Sequence, residues 1–490
     1  MRRAPFKHGL PCRETQALCR FRDTCFGPPP RAPLVNWTTA GATRIVSSES
    51  GAAATAPTPR RGAVSTDPFD IRSFALKSNR ESPQVVVVGG GPAGATTAAL
   101  LAREGVRVRL YEREQFPRFH IGESLIPQTY WTLKRLDLLD KLRASRFVKK
   151  YSVQFISGDG KESQPFYFDK HNPHESSQTW QVLRSEFDAM MLDHARQQSV
   201  DVRCGDRVLD VRIDEGRASC VTVKNADGAT ETVDCDVVVD ATGQTSLIAR
   251  RLNLHVRDDV LRKGSVWTYY RGAYRDSGRD EGATIVARIQ GEQGWFWYIP
   301  LHDDLVSVGA VGDFEKLFTP GATHEEIFHR QLSRCPGIER RLAPGTRAND
   351  YFATKDFSYT ARQFAGDGWV LVGDAMGFLD PLYSSGVFLA LKTGELAADA
   401  ITSALDAGDT SAARLGAWEP MVRDGYGRMR ELVCAFYEGF SFAKFLKRHP
   451  HYSDHVVSML IGDIFRDDLD EMFDSMQTMR AEMMAPAADE

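Results

Sequence analysis

The stretch VVVVGGGPAGATTAALLAREGVRVRLYE, residues 85–112, decides how the rest of the chain is read. Four consecutive valines, Val85–Val88, predict a strand buried on both faces, the position of a central strand in a parallel sheet. Gly89, Gly91 and Gly94 follow in Gly-x-Gly-x-x-Gly spacing, and an Ala/Leu-rich helix is expected over 95–104. A second apolar strand, 106–111, ends at Glu112. Each part has a physical task. Gly89 permits the tight turn, Gly91 lets the backbone approach a pyrophosphate, and Gly94 lets helix and strand pack closely. The helix N-terminus offers N–H groups and partial positive charge to the pyrophosphate, while Glu112 stands where a carboxylate accepts hydrogen bonds from ribose hydroxyls. A glycine triplet alone is weak evidence; set between a strand, a helix and an acid-tipped strand, it predicts a bound dinucleotide.

A chain of 490 residues holds two or three lobes around a substantial core. The uncharged run 85–102 has the length of a membrane span, but its glycines and proline belong to the nucleotide loop, so no membrane span is expected. Eight cysteines lie scattered without Cys-x-x-Cys pairs or histidines at ligand spacing. Reduced thiols, a cytosol-like compartment and no metal site are therefore expected. The net charge of −4 is unevenly spread: residues 1–80 carry 13 Lys+Arg against 5 Asp+Glu, and the remainder is acidic. An acidic body argues against a nucleic-acid partner.

Residues 1–80 lack a hydrophobic period and contain Pro28-Pro29-Pro30 and a Gly/Ala/Thr/Pro run at 51–59, so a disordered leader is expected. Its Arg-rich, acid-poor makeup is that of an organellar transit peptide, or of an extension from an upstream start codon. Beyond Glu112, a loop runs through Arg113, Phe116-Pro117-Arg118 and Gly122-Glu123-Ser124, suited to reach back over a cofactor. A helix is expected over 128–144, and a strand over 147–155. In that strand Tyr151, Val153 and Phe155 form an apolar face, with Lys150, Ser152 and Gln154 on the polar one. Arg184 precedes an amphipathic helix, 186–197, and β-rich runs at 200–213 and 218–225 form a meander. Val237–Val239, ending in Asp240-Ala241-Thr242-Gly243, is a third buried strand. Alternating aromatic and polar residues over 264–312 predict a second, largely antiparallel sheet, and 322–344 is helical. Trp369–Val372 is a further strand ending in Gly373-Asp374-Ala375, and the loop Asp380–Gly386 opens a helix, 386–403. The last hundred residues are mostly helical.

The glycine loop, Arg184, Asp240–Gly243 and Gly373-Asp374-Ala375 together resemble the FAD-binding oxidoreductases that include aromatic hydroxylases, geranylgeranyl reductases and flavin-dependent halogenases. The resemblance covers about 83–400 and implies an α/β fold. A Rossmann-like FAD-binding domain over 81–400, in segments 81–150, 181–250 and 350–400, would carry an inserted antiparallel substrate sheet over 150–180 and 260–315, followed by a helical region, 401–490. It also implies FAD as cofactor, with Ala93, Arg113, Glu123, Ser124, Arg184, Asp240, Gly243, Gly373, Asp374 and Pro381 joining the glycines and Glu112 around it.

Trp295-x-Trp297-x-Ile299-Pro300 matches in full the Trp-x-Trp-x-Ile-Pro signature of the halogenases, and Phe116-Pro117-Arg118 with Gly122-Glu123-Ser124 resembles their post-ribose segment. On a strand Trp295, Trp297 and Ile299 share one face; in the family this wall keeps organic substrate from the flavin oxidant, so that halide meets it instead. The family also places a lysine five residues before an aromatic on an early strand, and Lys150 meets this, five before Phe155. Its ammonium would hydrogen-bond hypohalous acid, or form a haloamine once deprotonated by burial. Ser152 stands where the phenol-type pattern has glycine, and Tyr383 where tryptophan halogenases have a catalytic glutamate. The resemblance therefore points to the phenol and pyrrole halogenases, with backbone N–H groups of Ser385 and Gly386 as the halide site. It implies an electron-rich aromatic substrate, free or on a carrier protein, and FAD supplied reduced by a separate flavin reductase. A hydroxylase or isoprenoid-type reductase would need no Lys150, and a non-catalytic flavoprotein would not react rapidly with oxygen.

Overall fold

In the computed structural model, which describes residues 82–170, 172–291, 294–355 and 357–484, Val85–Val88 is buried along its whole length. It owes this to a central place in a six-stranded sheet. Val108–Glu112 and then Asp201–Cys204 lie on one side; Val237–Asp240, Trp369–Leu371 and the short Ala365–Gly366 lie on the other. All pairings are parallel except the last, which is antiparallel. The two valine-rich strands and Val108–Glu112 come together in register, Val86 beside Val238 and Arg109. Parallel strands buried on both faces explain runs without polar alternation. The helices Pro92–Arg103 and Ser385–Asp406 pack on each other, and the second is mostly buried over its 22 residues.

An eight-stranded sheet is built mainly from Lys263–Arg271, Thr284–Arg288, Trp295–Pro300 and Leu305–Asp313, paired antiparallel in the order 263, 305, 295, 284. Ser152–Ile156 extends it beside Thr284–Arg288 in parallel, the one parallel pairing of this sheet. Arg207–Asp214, Arg217–Lys224 and Thr230–Asp234 form the expected meander as a separate three-stranded sheet. The chain closes with helices Ala412–Leu415, Glu419–Tyr437, Phe442–Arg448, Ser453–Leu460 and Asp470–Met484. The fold is α/β with a helical C-terminal region.

The helix expected over 322–344 is two, His324–Leu332 and Pro336–Leu342, and the run over 200–213 is two strands, Asp201–Cys204 and Arg207–Asp214, in different sheets; three further differences lie nearer the glycine loop and Lys150. The first helix begins at Pro92, inside the glycine loop, because proline is at home in a first turn whose N–H groups lack intrahelical partners. The helix expected over 128–144 is two, Thr129–Arg135 and Leu139–Arg143, interrupted where Asp137 takes positive φ, +56°. The strand expected over 147–155 is also two, Val148–Lys150 and Ser152–Ile156, parting at Tyr151. The first pairs with Thr179–Gln181 rather than with the large sheet. The leader expected over residues 1–80 lies outside the described residues. Among the described residues no helix is long and apolar enough to cross a membrane, no group of His, Cys, Asp and Glu could hold a metal, and the described cysteines are unpaired.

Candidate active site

One cavity of about 350 Å³ runs from the glycine loop to the tryptophan strand. At its nucleotide end Gly89 has φ +110°, and a Cβ there would overlap the Ala241 carbonyl; a Cβ at Gly94 would overlap the carbonyl of Gly89. Gly91 is different. Its backbone is ordinary and extended (φ −71°, ψ −177°), and a Cβ would meet only Arg118 Nη2 at 3.6 Å. Space is left in front of the loop, where an uncapped helix N-terminus directs its first N–H groups. Glu112 Oε2 accepts from Gly90 N (2.8 Å) and Oε1 from Glu114 N (2.9 Å), which fixes the carboxylate on the cavity wall. Ala93, Arg113 and Gly243 line the same end. These features fit a dinucleotide pyrophosphate and ribose.

Arg184 is buried, lines the cavity, and forms a two-pronged pair with Asp188 (2.7 and 3.0 Å) while donating to Ile121 O (2.7 Å). It thereby pins the loop carrying Gly122, Glu123 and Ser124. Its charge lowers the exposed His120 well below the ordinary imidazole range, so this ring is neutral near pH 7. Burial raises Asp374 to about 6 against the opposing charge of Arg184. Burial also raises Glu123 to about 7, although Tyr269 donates to its Oε1 (2.6 Å). Glu123 Oε2 makes no hydrogen bond of good geometry, although the Ser307 hydroxyl stands near and favours the charged form. A buried oxygen without a well-aligned donor, in the wall of a polar-ended cavity, is suited to a bound group or water.

Trp295, Trp297 and Ile299 all face the cavity; Pro300 is buried but does not line it. The indoles are held from behind. Trp297 Nε1 donates to Ser307 Oγ (3.1 Å), and Trp295 Nε1 to Tyr437 OH (2.9 Å), which donates in turn to Asp380 Oδ2 (2.9 Å). Tyr437 belongs to the long C-terminal helix, whose Val433, Cys434 and Phe436 join the tryptophans in one apolar cluster. Phe357, Phe378 and Leu382 continue the apolar lining. The helix Ser385–Asp406 starts beside it, after Ser384 in the left-handed region (φ +56°). Pro381, Ser384 and Gly386 line the cavity, whereas Ser385 is buried and does not.

Lys150 requires a correction of faces. The alternation holds, but its polar row is the buried one: Lys150, Ser152 and Gln154 are inside, Tyr151, Val153 and Phe155 half-buried, and Lys149 exposed. The cause is the break at Tyr151, which lets Val148–Lys150 pair with the fully buried Thr179–Gln181. Lys150 Nζ donates to Ser124 Oγ (2.8 Å) and Leu125 O (3.0 Å). The ammonium does not line the cavity itself; Ser124 does. Burial lowers Lys150 to about 7 from the ordinary 10.5. A lysine depressed in the folded state binds fewer protons there than in the unfolded chain between pH 7 and 10.5, so its contribution to stability is lost as pH falls through that window. Lys150→Met should therefore unfold at a higher temperature than wild type near pH 7, with the advantage shrinking towards pH 10; melting curves across that range check it.

Gly94, Asp240 and Gly373 were expected at the cofactor and do not line the cavity. Asp240 is fully buried and its carboxylate is spent on Thr242 N, Thr242 Oγ1 and Ile248 N, shaping the turn that presents Thr242 and Gly243. Gly373 N donates to Thr393 Oγ1 (2.8 Å), which fixes the turn before Asp374. Sequence reasoning missed Tyr269, Thr284, Ser307 and Tyr437. The first three lie on strands whose alternation shows a face but no motif, and Tyr437 lies in a helix without one.

Residues 82–410 match the family model of the FAD binding domain. The chain is 28% identical over 418 residues to the 1H-pyrrole-2-carbonyl-[peptidyl-carrier protein] chlorinase of Pseudomonas fluorescens, covering 81% of this chain and 93% of that protein. It is 33% identical over 376 residues to the flavin-dependent halogenase armH1 of Armillaria mellea, with 73% and 72% covered. Among solved structures, that of the flavin-dependent brominase Bmp2 superposes with a TM-score of 0.73 at 29% identity, over 82% of this chain and 98% of that one.

Proposed function

The chain belongs to the flavin-dependent halogenases, FAD-dependent enzymes of the oxidoreductase type, and from that premise we propose that it halogenates an electron-rich phenol- or pyrrole-like ring. The observation that carries this reading is the single cavity in which the glycine loop, the tryptophan wall and the hydroxyl bonded to Lys150 share one enclosure. The carrier-bound pyrrole named for the similar chlorinase supports a substrate either free or held on a carrier protein.

In this reading the helix N-terminus behind Gly89, Gly91 and Gly94 holds the pyrophosphate, Glu112 the ribose, and Arg184 and Asp374 the chain leading to the flavin ring. Bound reduced FAD supplies, with dioxygen, the oxidising power that turns chloride or bromide into hypohalous acid. The backbone at Ser385 and Gly386, at the start of a 22-residue helix, binds the halide through the positive end of the helix dipole. Trp295, Trp297 and Ile299 keep the organic substrate apart from the flavin. Lys150 acts on the hypohalous acid at the substrate end from behind Ser124, whose residue lines the cavity. The parallel sheet and its helices form the FAD-binding domain, and the eight-stranded sheet the substrate domain.

A separate flavin reductase provides the reduced FAD in this reading, in keeping with a sequence whose one Gly-x-Gly-x-x-Gly, at 89–94, is taken by FAD. Purified protein with FAD and NADPH alone should leave a panel of phenols and pyrroles unchanged, while FAD reduced beforehand should give halogenated product in air. Oxidation of NADPH by the purified protein would overturn the two-component arrangement.

A further inference from the structure

Lys150 is 3% exposed, and its ammonium stands behind two residues that do line the cavity, Ser124 and Thr284. Ser124 Oγ lies 2.8 Å from Lys150 Nζ and 2.9 Å from Thr284 Oγ1. Gln181, fully buried, spends both amide protons nearby, one on Gly282 O (2.9 Å) and one on Thr284 Oγ1 (2.8 Å). A count of donors decides what this arrangement can do. Lys150 donates to Ser124 and Gln181 donates to Thr284, so each hydroxyl oxygen already accepts one bond. The two hydroxyls hold two protons and share one hydrogen bond. One proton lies between them, and the other has no protein acceptor among the described residues, which leaves it free to turn to the cavity both residues line. Which hydroxyl keeps the outward proton depends on the direction of the shared bond, so the pair has two neutral arrangements related by turning both hydroxyls, and the one in which Ser124 donates to Thr284 leaves the Thr284 proton outward.

We propose that Ser124 and Thr284 form a proton relay between Lys150 and the cavity, so that the lysine acts on hypohalous acid through these hydroxyls. The proposal rests on the halogenase reading and deepens it. In the forward direction the Lys150 ammonium gives a proton to Ser124, Ser124 passes its own to Thr284, and Thr284 passes its own to the hypohalous acid oxygen. As the O–X bond breaks, its electron pair stays on oxygen, which leaves as water; the halogen forms its bond with a ring carbon. The proton displaced from that carbon returns along the hydroxyls to the Lys150 amine. The sum is hypohalous acid plus arene giving haloarene plus water, and the lysine ends as it began. The lowering of Lys150 to about 7 supports this, since an amine near neutrality gives and takes a proton with equal ease.

Thr284→Val keeps the side-chain shape and removes the relay hydroxyl, while Thr284→Ser keeps the hydroxyl. The readout is the partition, per reduced FAD consumed, between halogenated phenol and escaped hypohalous acid trapped by monochlorodimedone. This ratio does not depend on how much enzyme folds. Thr284→Val should move it by at least about tenfold towards the trap, within the range of general acid–base effects, and Thr284→Ser should return it close to wild type. In the flavin-free protein, exchange of the Lys150 Nζ protons with solvent, followed by nitrogen NMR, should slow in Thr284→Val and not in Thr284→Ser. A valine variant with wild-type partition and wild-type exchange overturns the relay. A wild type that yields neither haloarene nor trapped hypohalous acid overturns the halogenase reading, and the relay with it.

Discussion

Lys150→Ala should lose halogenated product by about 100- to 1000-fold, the equivalent of about 2.7–4 kcal/mol, the range found when a group acting on a transition state is removed. Retained FAD binding should accompany that loss, because the hydrogen bonds that set the glycine loop, Glu112 and Arg184 do not involve Lys150, and Arg184 holds the Ser124 loop at Ile121 independently of the lysine. The alanine should also leave the fold intact. Its removal frees Ser124 Oγ and Leu125 O, but it also withdraws a buried ammonium whose one resolved influence is the cost of burial. Lys149→Ala should stay within a few-fold of wild type, since Lys149 is exposed on the opposite side of the strand. Quantifying product by mass spectrometry against reduced FAD consumed separates these outcomes. A Lys150→Ala enzyme within a few-fold of wild type would reduce the lysine to a packing role.

Gly91→Val should abolish FAD binding while changing stability by only about 0.5–1 kcal/mol. The contrast with its neighbours makes this a sharp test. A side chain at Gly89 or Gly94 collides with the backbone of the protein itself, so those variants confound folding with binding. At Gly91 the backbone is extended, a conformation valine favours, and the new atoms would enter open cavity near Arg118. That cavity is where the pyrophosphate would lie against the helix N-terminus. Flavin content of the purified variant, read with its melting temperature, gives the answer. Normal flavin content would remove the pyrophosphate from this loop.

The legible parts of this molecule are those in which one short segment carries a whole physical constraint. Val85–Glu112 encodes strand, turn, helix and acid in continuous order, and the structure shows each, with the helix three residues early. Trp295, Trp297 and Ile299 are marked by the halogenase signature and set on one face by strand alternation, and all three reach the cavity. Legibility fails where burial is decided by partners distant in sequence. Nothing near Lys150 announces that Thr179–Gln181 will cover it, so its face reads as polar surface when it is interior. Asp240 resembles a ligand-binding acid because it ends a strand, yet its oxygens are used within eight residues of chain. Tyr437 reaches Trp295 and Asp380 across 142 and 57 residues, a pairing that no local pattern encodes.

The central claim is that the oxidising power of reduced FAD in this cavity ends as a carbon–halogen bond. Wild-type protein, FAD reduced beforehand, dioxygen, bromide and a panel of phenols and pyrroles, analysed by product mass spectrometry, test it most directly. A product carrying the bromine isotope doublet, lost when bromide is left out and lost again in Lys150→Ala, is the predicted result. A product that has gained oxygen instead, formed equally well without halide and unaffected by the Lys150 substitution, would make the protein an aromatic hydroxylase and contradict the account.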